Sequence, residues 1–128
     1  MTKLFSHAPL ASNTAAQTTI PVPHGTSSLL IRVTLLASAT SSANIGVSLQ
    51  VAPPPLPDGT PTFAPSKQSF PNISAAANAF VEGEVVMHFG QHPAALDGPV
   101  GFVRVTTSNS SASAAAAVSV HVENLSLQ

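Results

Sequence analysis

The five histidines are the residues that could first suggest chemistry, because imidazole is the commonest metal ligand in proteins. His88 and His92 are four residues apart, which on a helix would place both rings on one face. Gly90 lies between them and Pro93 follows, so we expect a strand end and a turn here instead. Only the fold could bring the other histidines near this pair. We therefore expect solvent-facing histidines and no metal site; the other three are His7, His24 and His121.

A second candidate is the carboxylate pair Glu82 and Glu84, which a strand would place on one face. Glycosidases need two carboxylates that flank a sugar in a cleft, and this chain has no Trp or Tyr to form a sugar-stacking platform. It also lacks cysteine and the Gly-x-Ser-x-Gly motif of serine hydrolases. We therefore expect no catalytic residue, no cofactor and no enzymatic activity.

The stretch from Leu29 to Val51 has the clearest strand pattern in the chain. Apolar residues occupy every odd position from 29 to 35 and again from 45 to 51. A period of two places these side chains on one face of each strand, as in a half-buried antiparallel sheet. The link 37–43 consists of small or polar residues, which favours a hairpin and leaves open a crossing between two sheets.

Further strands follow from the same alternation. A short first strand is expected at an edge of a sheet, because Pro21 and Pro23 cannot donate to a ladder. Many strands with Gly and Pro punctuation predict an all-β fold, an antiparallel β-sandwich or jelly-roll-like domain of about six to eight strands. The predicted strands beyond Leu29–Val51 are Thr18–Val22, Ala79–Phe89, Val100–Thr107 and Val118–Val122.

Three local features interrupt this pattern. The alanine-rich segment 73–78 and the segment 92–98, which has Pro near its start and Gly at its end, each predict one helical turn. Leu125 and Leu127 are out of phase with the apolar residues of 118–122, which predicts a bulge near Glu123 or Asn124.

We expect one β-sandwich domain over 17–128, preceded by an extended N-terminal arm over 1–16. A proline-rich loop insertion occupies 52–72, a length that is usually functional or disordered, and a further strand could lie within it. Large apolar residues in the arm and the loop are candidate contacts with another protein. For the loop phenylalanines the alternative is that they fold back onto the sandwich. These candidates are Leu4, Phe5, Leu10, Phe63 and Phe70.

The scarcity of charge is the most informative feature of the composition. Charged residues make up 7% of the chain, against about 25% in ordinary soluble domains. Four scattered Lys and Arg residues argue against nucleic acid as a partner, and no apolar run is long enough to cross a membrane. We expect a protein that is soluble and not exported by the usual route. Its surface is either a plain Ser/Thr coat or is covered by neighbouring subunits.

The weakly charged strands 45–51 and 118–122, the N-terminal arm and the proline-rich loop together carry a resemblance of overall type. The chain resembles accessory structural proteins of tailed bacteriophage particles, above all capsid decoration (cement) proteins. This resemblance implies a homotrimeric β-sandwich on the outer surface of the virion. Such a protein binds the major capsid protein or other virion subunits near symmetry axes and reinforces the shell.

Two other functions stay open. One is a tail, fibre or head–tail structural component, which composition does not separate from a decoration protein. The other is an immunoglobulin-like adhesion or carbohydrate-binding module.

Overall fold

The computed structural model describes residues 2–6, 15–23, 26–37, 42–53, 62–90, 93–98, 100–109 and 117–125. These residues form an all-β fold with two antiparallel sheets and no helix, which confirms the predicted fold class. The nine strands are β1 (Thr2–Ser6), β2 (Ala15–Pro21), β3 (Ser28–Leu36), β4 (Ala43–Ala52), β5 (Ala64–Pro65), β6 (Ile73–Ala75), β7 (Phe80–His88), β8 (Phe102–Asn109) and β9 (Ala117–Asn124).

The two sheets form the layers of a sandwich. The four-stranded sheet has the order β1-β9-β3-β7. The five-stranded sheet has the order β2-β8-β4-β5, and β6 pairs with the beginning of β4. Every strand pair is antiparallel.

The core lies between the sheets and follows from the alternation of apolar residues. On β3, Ile31, Val33 and Leu35 are completely buried, while the residues between them are half-buried. The odd-numbered residues of β4 from Ala43 to Leu49 are buried in the same way from the opposite sheet. Because each sheet buries one face against the other, the two apolar stripes of the sequence become a single core.

The connection from β3 to β4 is a crossing between the sheets, so the predicted hairpin is wrong and the alternative holds. Strand β3 lies between β9 and β7, whereas β4 pairs with β8, β5 and β6 in the other sheet. The physical reason is that both strands carry a fully apolar face. Placed in opposite layers, these faces cover one another, which a hairpin within one sheet would not achieve.

Two further local predictions are also wrong. The register of β9 on β3 runs without interruption from Ala117 to Asn124, so no bulge occurs there. Leu125 ends the described segment with 41% exposure and has no need to share the buried face. Leu127 lies outside the described residues.

The alanine-rich segment 73–78 begins with strand β6 in place of a helical turn. Ile73 and Ala75 are buried and pair with β4, so tertiary pairing overrides the helix preference of alanine. Residues 93–98 form a turn, and Asp97 bridges to Phe89 at the end of β7. His92 lies outside the described residues.

Parts of the predicted arm and loop belong to the sheets. Within 1–16, Thr2–Ser6 pair with β9, and β2 begins at Ala15 instead of Thr18. The proline-rich segment contributes β5, and Phe70 near its end is buried. The additional strand that the sequence left open within this loop is therefore present.

Candidate protein-binding surface

The outward side of the four-stranded sheet presents the most exposed large apolar side chains on any described strand. The even-numbered residues of β3 and β7 and the odd-numbered residues of β9 point this way, since their neighbours fill the core. We refer to the four-stranded sheet as sheet A and to this outward surface as the outer A face. Its residues are Leu30, Arg32, Thr34, Leu36, Phe80, Glu82, Glu84, Val86, Ala117, Ser119, His121 and Glu123.

Apolar pairs occupy both ends of the outer A face. At one end Leu36 is directly opposite Phe80, and these side chains are 45% and 62% exposed. At the other end Leu30 is opposite Val86, which is 39% exposed. Side chains opposite one another on a sheet lie within contact distance, so each pair forms one patch. Apolar patches that are exposed on an isolated protein often mark the surface that binds another protein.

The middle of the outer A face is charged. The Arg32 guanidinium donates from Nε to the Glu84 carboxylate at 3.0 Å, and a second nitrogen lies 3.0 Å from the same oxygen. His121 is opposite Arg32 on the other side of β3. With Glu82 and Glu123, the face carries three carboxylates and one guanidinium. The Arg32–Glu84 pair is exposed, so it contributes little to the free energy of unfolding. Its main effect is on the charge pattern of this face.

The outward side of the five-stranded sheet has a different chemistry. Arg104 donates from Nε to the side-chain oxygen of Gln50 at 2.7 Å, and its guanidinium lies 4.3 Å from the centre of the Phe63 ring. Hydroxyl groups of Thr19 and Thr106 lie on the same side of this sheet. Among the described residues of this side there is no carboxylate. The two faces of the sandwich therefore differ in charge.

A buried polar cluster ties the proline-rich segment to the end of β7. Asp97 accepts hydrogen bonds from Ser66 Oγ at 2.6 Å, Gln68 Nε2 at 2.8 Å and the Lys67 backbone N–H at 3.2 Å. Ser28 Oγ lies 2.9 Å from Nδ1 of His88 in the same region. Burial raises the pKa of Asp97, but these three hydrogen bonds and the charge of Lys67 outweigh it, so the pKa lies below its ordinary value of 3.8. The ionised carboxylate therefore holds three consecutive residues of the segment in place.

A cavity of about 350 Å³ opens at the end of the sandwich beside β2. It is mainly apolar, and Asn124, which lines it, donates to Thr26 Oγ1 at 3.2 Å. The lining residues are Ile20, Pro21, Val22, Pro23, Leu29, Val122 and Asn124.

The structure separates the candidate contact residues predicted from the sequence. Phe70 is 6% exposed and belongs to the core, so the alternative that it folds back onto the sandwich holds. Phe63 also lies on the sandwich, half-buried under Arg104. The backbones of Leu4 and Phe5 are in register with His121 and Val120, and Leu10 lies outside the described residues.

Several expectations about other sites fall partly outside the described residues. His88 is half-buried and His121 lies on the outer A face, while His7, His24 and His92 are not described. No group of three or more potential metal ligands occurs in the part of the chain that the structure describes. In that same part, no helix has the length and hydropathy to cross a membrane.

Sequence reasoning missed Leu36 and Phe80 as candidate contact residues. Both are apolar residues at even positions of strands whose odd positions form the core. This break in the alternation was the available signal. Only the register shows that the two residues lie opposite each other.

No protein-family model matches this chain, and a search of curated proteins finds no match. Solved structures do match. The xylan-binding CBM22-1 domain of Paenibacillus barcinonensis Xyn10C is similar over 99% of this chain and 83% of its own, with 11% identity and a TM-score of 0.51. The CBM22-1–GH10 modules of Clostridium thermocellum Xyn10B match 86% of this chain and 20% of their own, with 8% identity and a TM-score of 0.46. The structure of infectious bursal disease virus, Gx strain, matches 95% of this chain and 33% of its own, with 12% identity and a TM-score of 0.40.

These similar structures thus include a xylan-binding domain and a virus particle. The likeness to the xylan-binding domain supports the β-sandwich fold. Sandwiches and jelly rolls occur in lectin-like modules and in viral shells alike, so function has to be argued from the surfaces.

Proposed function

We propose that this protein is a structural component of a bacteriophage virion that decorates and stabilises the capsid by binding the major capsid protein. The observation that carries the proposal is the exposed pair Leu36 and Phe80 on the outer A face. Burying such a pair under a neighbouring subunit stabilises an assembly by roughly 25 cal/mol per Å² of apolar surface removed from water.

An exposed aromatic residue and the low charge of the whole chain support the same proposal. Interfaces are enriched in aromatic residues, and Phe80, one of six phenylalanines, is 62% exposed. Charged residues make up only 7% of the chain. Three of them, Arg32, Glu82 and Glu84, lie between the two apolar ends of the outer A face. A homotrimer bound to a symmetric shell repeats each contact, so that modest interfaces give high avidity. In this proposal Leu4, Phe5, Leu10 and Phe63 contribute further contacts, whereas Phe70 supports the core.

The test uses shells assembled from the major capsid protein of the phage that encodes the chain. The double variant Leu36→Ser/Phe80→Ser is compared with the control Thr34→Ala/Ser119→Ala, which changes polar residues of the same face. We expect about 30-fold weaker co-sedimentation for the first variant, as for loss of an interface hot spot of about 2 kcal/mol. Undiminished binding of the first variant would contradict the proposal.

Location and mass complete the test. Labelling of intact particles distinguishes a capsid decoration protein from a tail, fibre or head–tail component. Light scattering across a dilution series should give the mass of a trimer. A stable monomer would remove the trimeric part of the proposal.

A carbohydrate-binding module is the second candidate, favoured by the outward side of the five-stranded sheet. Arg104, Gln50 and Thr106 there offer hydrogen-bonding groups without any described carboxylate. Against this, the Arg104 guanidinium already covers Phe63, and the chain has no Trp or Tyr for stacking on sugars. Affinity electrophoresis in gels containing xylan or other polysaccharides tests it, with Arg104→Ala as the site variant and Arg32→Ala on the other face as the control.

A further inference from the structure

Strand β7 forms one edge of the four-stranded sheet, with β3 as its only described strand neighbour. In an antiparallel pair, alternate residues direct their backbone N–H and C=O groups to the neighbour and the others direct them away. Two hydrogen bonds determine which residues these are: Phe89 N–H donates to Ser27 O at 2.9 Å, and Ala37 N–H donates to Ala79 O at 3.1 Å. Odd-numbered residues therefore bond to β3. The even-numbered residues direct their backbone N–H and C=O groups towards the open edge of the sheet.

One position of this edge is already occupied in the way that an added strand would occupy it. His88 N–H donates to the side-chain oxygen of Gln68 at 2.8 Å, and Gln68 Nε2 donates to His88 O at 3.3 Å. From Phe80 to Val86, no described residue supplies an equivalent partner for the outward backbone groups. Four successive even-numbered residues thus form an edge that is competent for strand pairing.

The outer strands β2 and β5 of the five-stranded sheet carry residues that oppose strand addition. Strand β2 ends at Pro21 and is followed by Pro23, and the two-residue β5 contains Pro65. Proline cannot donate a ladder hydrogen bond, so it protects an edge. Strand β7 contains no proline over its nine residues.

The side chains beside this edge define the partner. Glu82 and Glu84 lie on the outer A face, flanked by Phe80 and Val86. Arg32 of β3 is paired with Glu84, so these two glutamates and Arg32 together keep a net negative charge. In the antiparallel pairing of two β7 strands that uses all four residues, Glu82 of each copy would face Glu84 of the other. Like charges directly opposite destabilise a sheet, so a second copy is disfavoured. A strand with Lys or Arg opposite both glutamates is favoured by the same rule.

We propose that the β7 edge from Phe80 to Val86 binds an extended basic segment of a partner protein as an added antiparallel strand. The matching segment has the pattern apolar-x-basic-x-basic-x-apolar. Backbone hydrogen bonds provide affinity and the alternate side chains provide specificity, as in other strand-addition complexes. The inference deepens the proposed function and rests on it for the source of the segment, which would be a capsid subunit.

The probe is the capped peptide TVTKTKTVT, added to the full chain at low ionic strength. Hydrogen exchange followed by NMR should show new protection of the backbone N–H groups of Glu82, Glu84 and Val86. Those of Val81, Gly83 and Val85 already bond to β3 and should change little. No new protection at the three even-numbered residues overturns the proposal, and so does protection of the same groups by raised protein concentration alone, which indicates a second copy.

Charge exchange tests the specificity. Glu82→Lys should weaken binding of the lysine peptide about fivefold and favour the peptide TVTETETVT, because each cross-strand pair is worth up to about 1 kcal/mol. The matched control is Glu123→Lys, which makes the same charge change on the same face but on β9, flanked by β1 and β3. Equal effects of both variants overturn the assigned edge.

Failure of the edge and failure of the proposed function are distinguishable. Peptide protection at the edge without binding to capsid shells contradicts the virion function and leaves the edge intact. Shell binding without peptide protection contradicts the edge alone.

Discussion

The side-chain amide of Gln68 pairs with both backbone groups of His88, as the backbone of a neighbouring strand would. The two hydrogen bonds measure 2.8 and 3.3 Å, and the same Nε2 donates to the Asp97 carboxylate at 2.8 Å. Gln68 therefore joins the proline-rich segment, the end of β7 and the turn 93–98. Because Gln68 is buried, removal of the amide would take one hydrogen bond from the Asp97 carboxylate and one from each backbone group of His88, in a site largely shielded from water.

Replacement of Gln68 should destabilise the domain. We expect Gln68→Ala to lower the free energy of unfolding by about 2–3 kcal/mol, since Asp97 and His88 both lose hydrogen bonds in a buried site. Urea denaturation followed by circular dichroism measures this. Gln17→Ala, which truncates an exposed glutamine on β2, should change stability by less than about 0.5 kcal/mol. Equal effects of the two substitutions would show that the Gln68 amide does not hold the loop.

Asp97 should make stability depend on pH in the acid range. Its pKa in the folded protein lies below 3.8, so ionised Asp97 stabilises the fold above that pH, and this contribution is lost as the pH falls through the folded pKa. Asp97→Asn should cost about 1–3 kcal/mol at pH 7 and flatten the stability profile below about pH 4. Denaturation series at several pH values test this. Glu82→Gln, which removes an exposed carboxylate, serves as the control, and an unchanged profile for Asp97→Asn would contradict the assignment.

Phe70 and Phe63 should differ strongly although both lie in the proline-rich segment. Phe70→Ala removes a buried ring from the core and should cost about 3–5 kcal/mol. Phe63→Ala loses mainly the contact with Arg104 and should cost about 0.5–1 kcal/mol. Thermal or urea denaturation compares them directly. Similar losses for the two variants would contradict the difference in burial.

Gly83 should not tolerate a larger side chain, because β7 packs closely against Phe70 and Ile73 at this position. A Cβ at Gly83 would lie 3.2 Å from carbon atoms of both Ile73 and Phe70. We expect Gly83→Val to lower the free energy of unfolding by about 1–3 kcal/mol through overpacking. At Gly98 a Cβ would meet nothing within 4 Å, so Gly98→Val is the matched control. If Gly83→Val is as stable as the control, Ile73 and Phe70 move aside at little cost and the expected overpacking does not occur.

The candidate surface could be predicted only in part. Period-two alternation correctly places Glu82 and Glu84 on one face of a strand. It does not show that Arg32, 52 residues away from Glu84, forms its ion pair, because that depends on which strand lies beside β7. For the same reason it does not show that Leu36 and Phe80 form one exposed patch.

The sequence by itself determined the long strands β3, β4, β7, β8 and β9 and their buried faces. Alternation of apolar and polar residues is a local property, so a strand has an apolar side whichever strand lies beside it. The breaks at Gly and Pro likewise reflect local backbone limits.

Tertiary structure alone decided which strands are neighbours. Strands β3 and β4 lie in different sheets because their apolar faces cover each other across the core. Strand β6 forms because Ile73, Ser74 and Ala75 pair with β4, although the alanine-rich segment 73–78 favours a helix locally. These outcomes depend on contacts between residues far apart in the chain, and no local pattern encodes the free energy of those contacts.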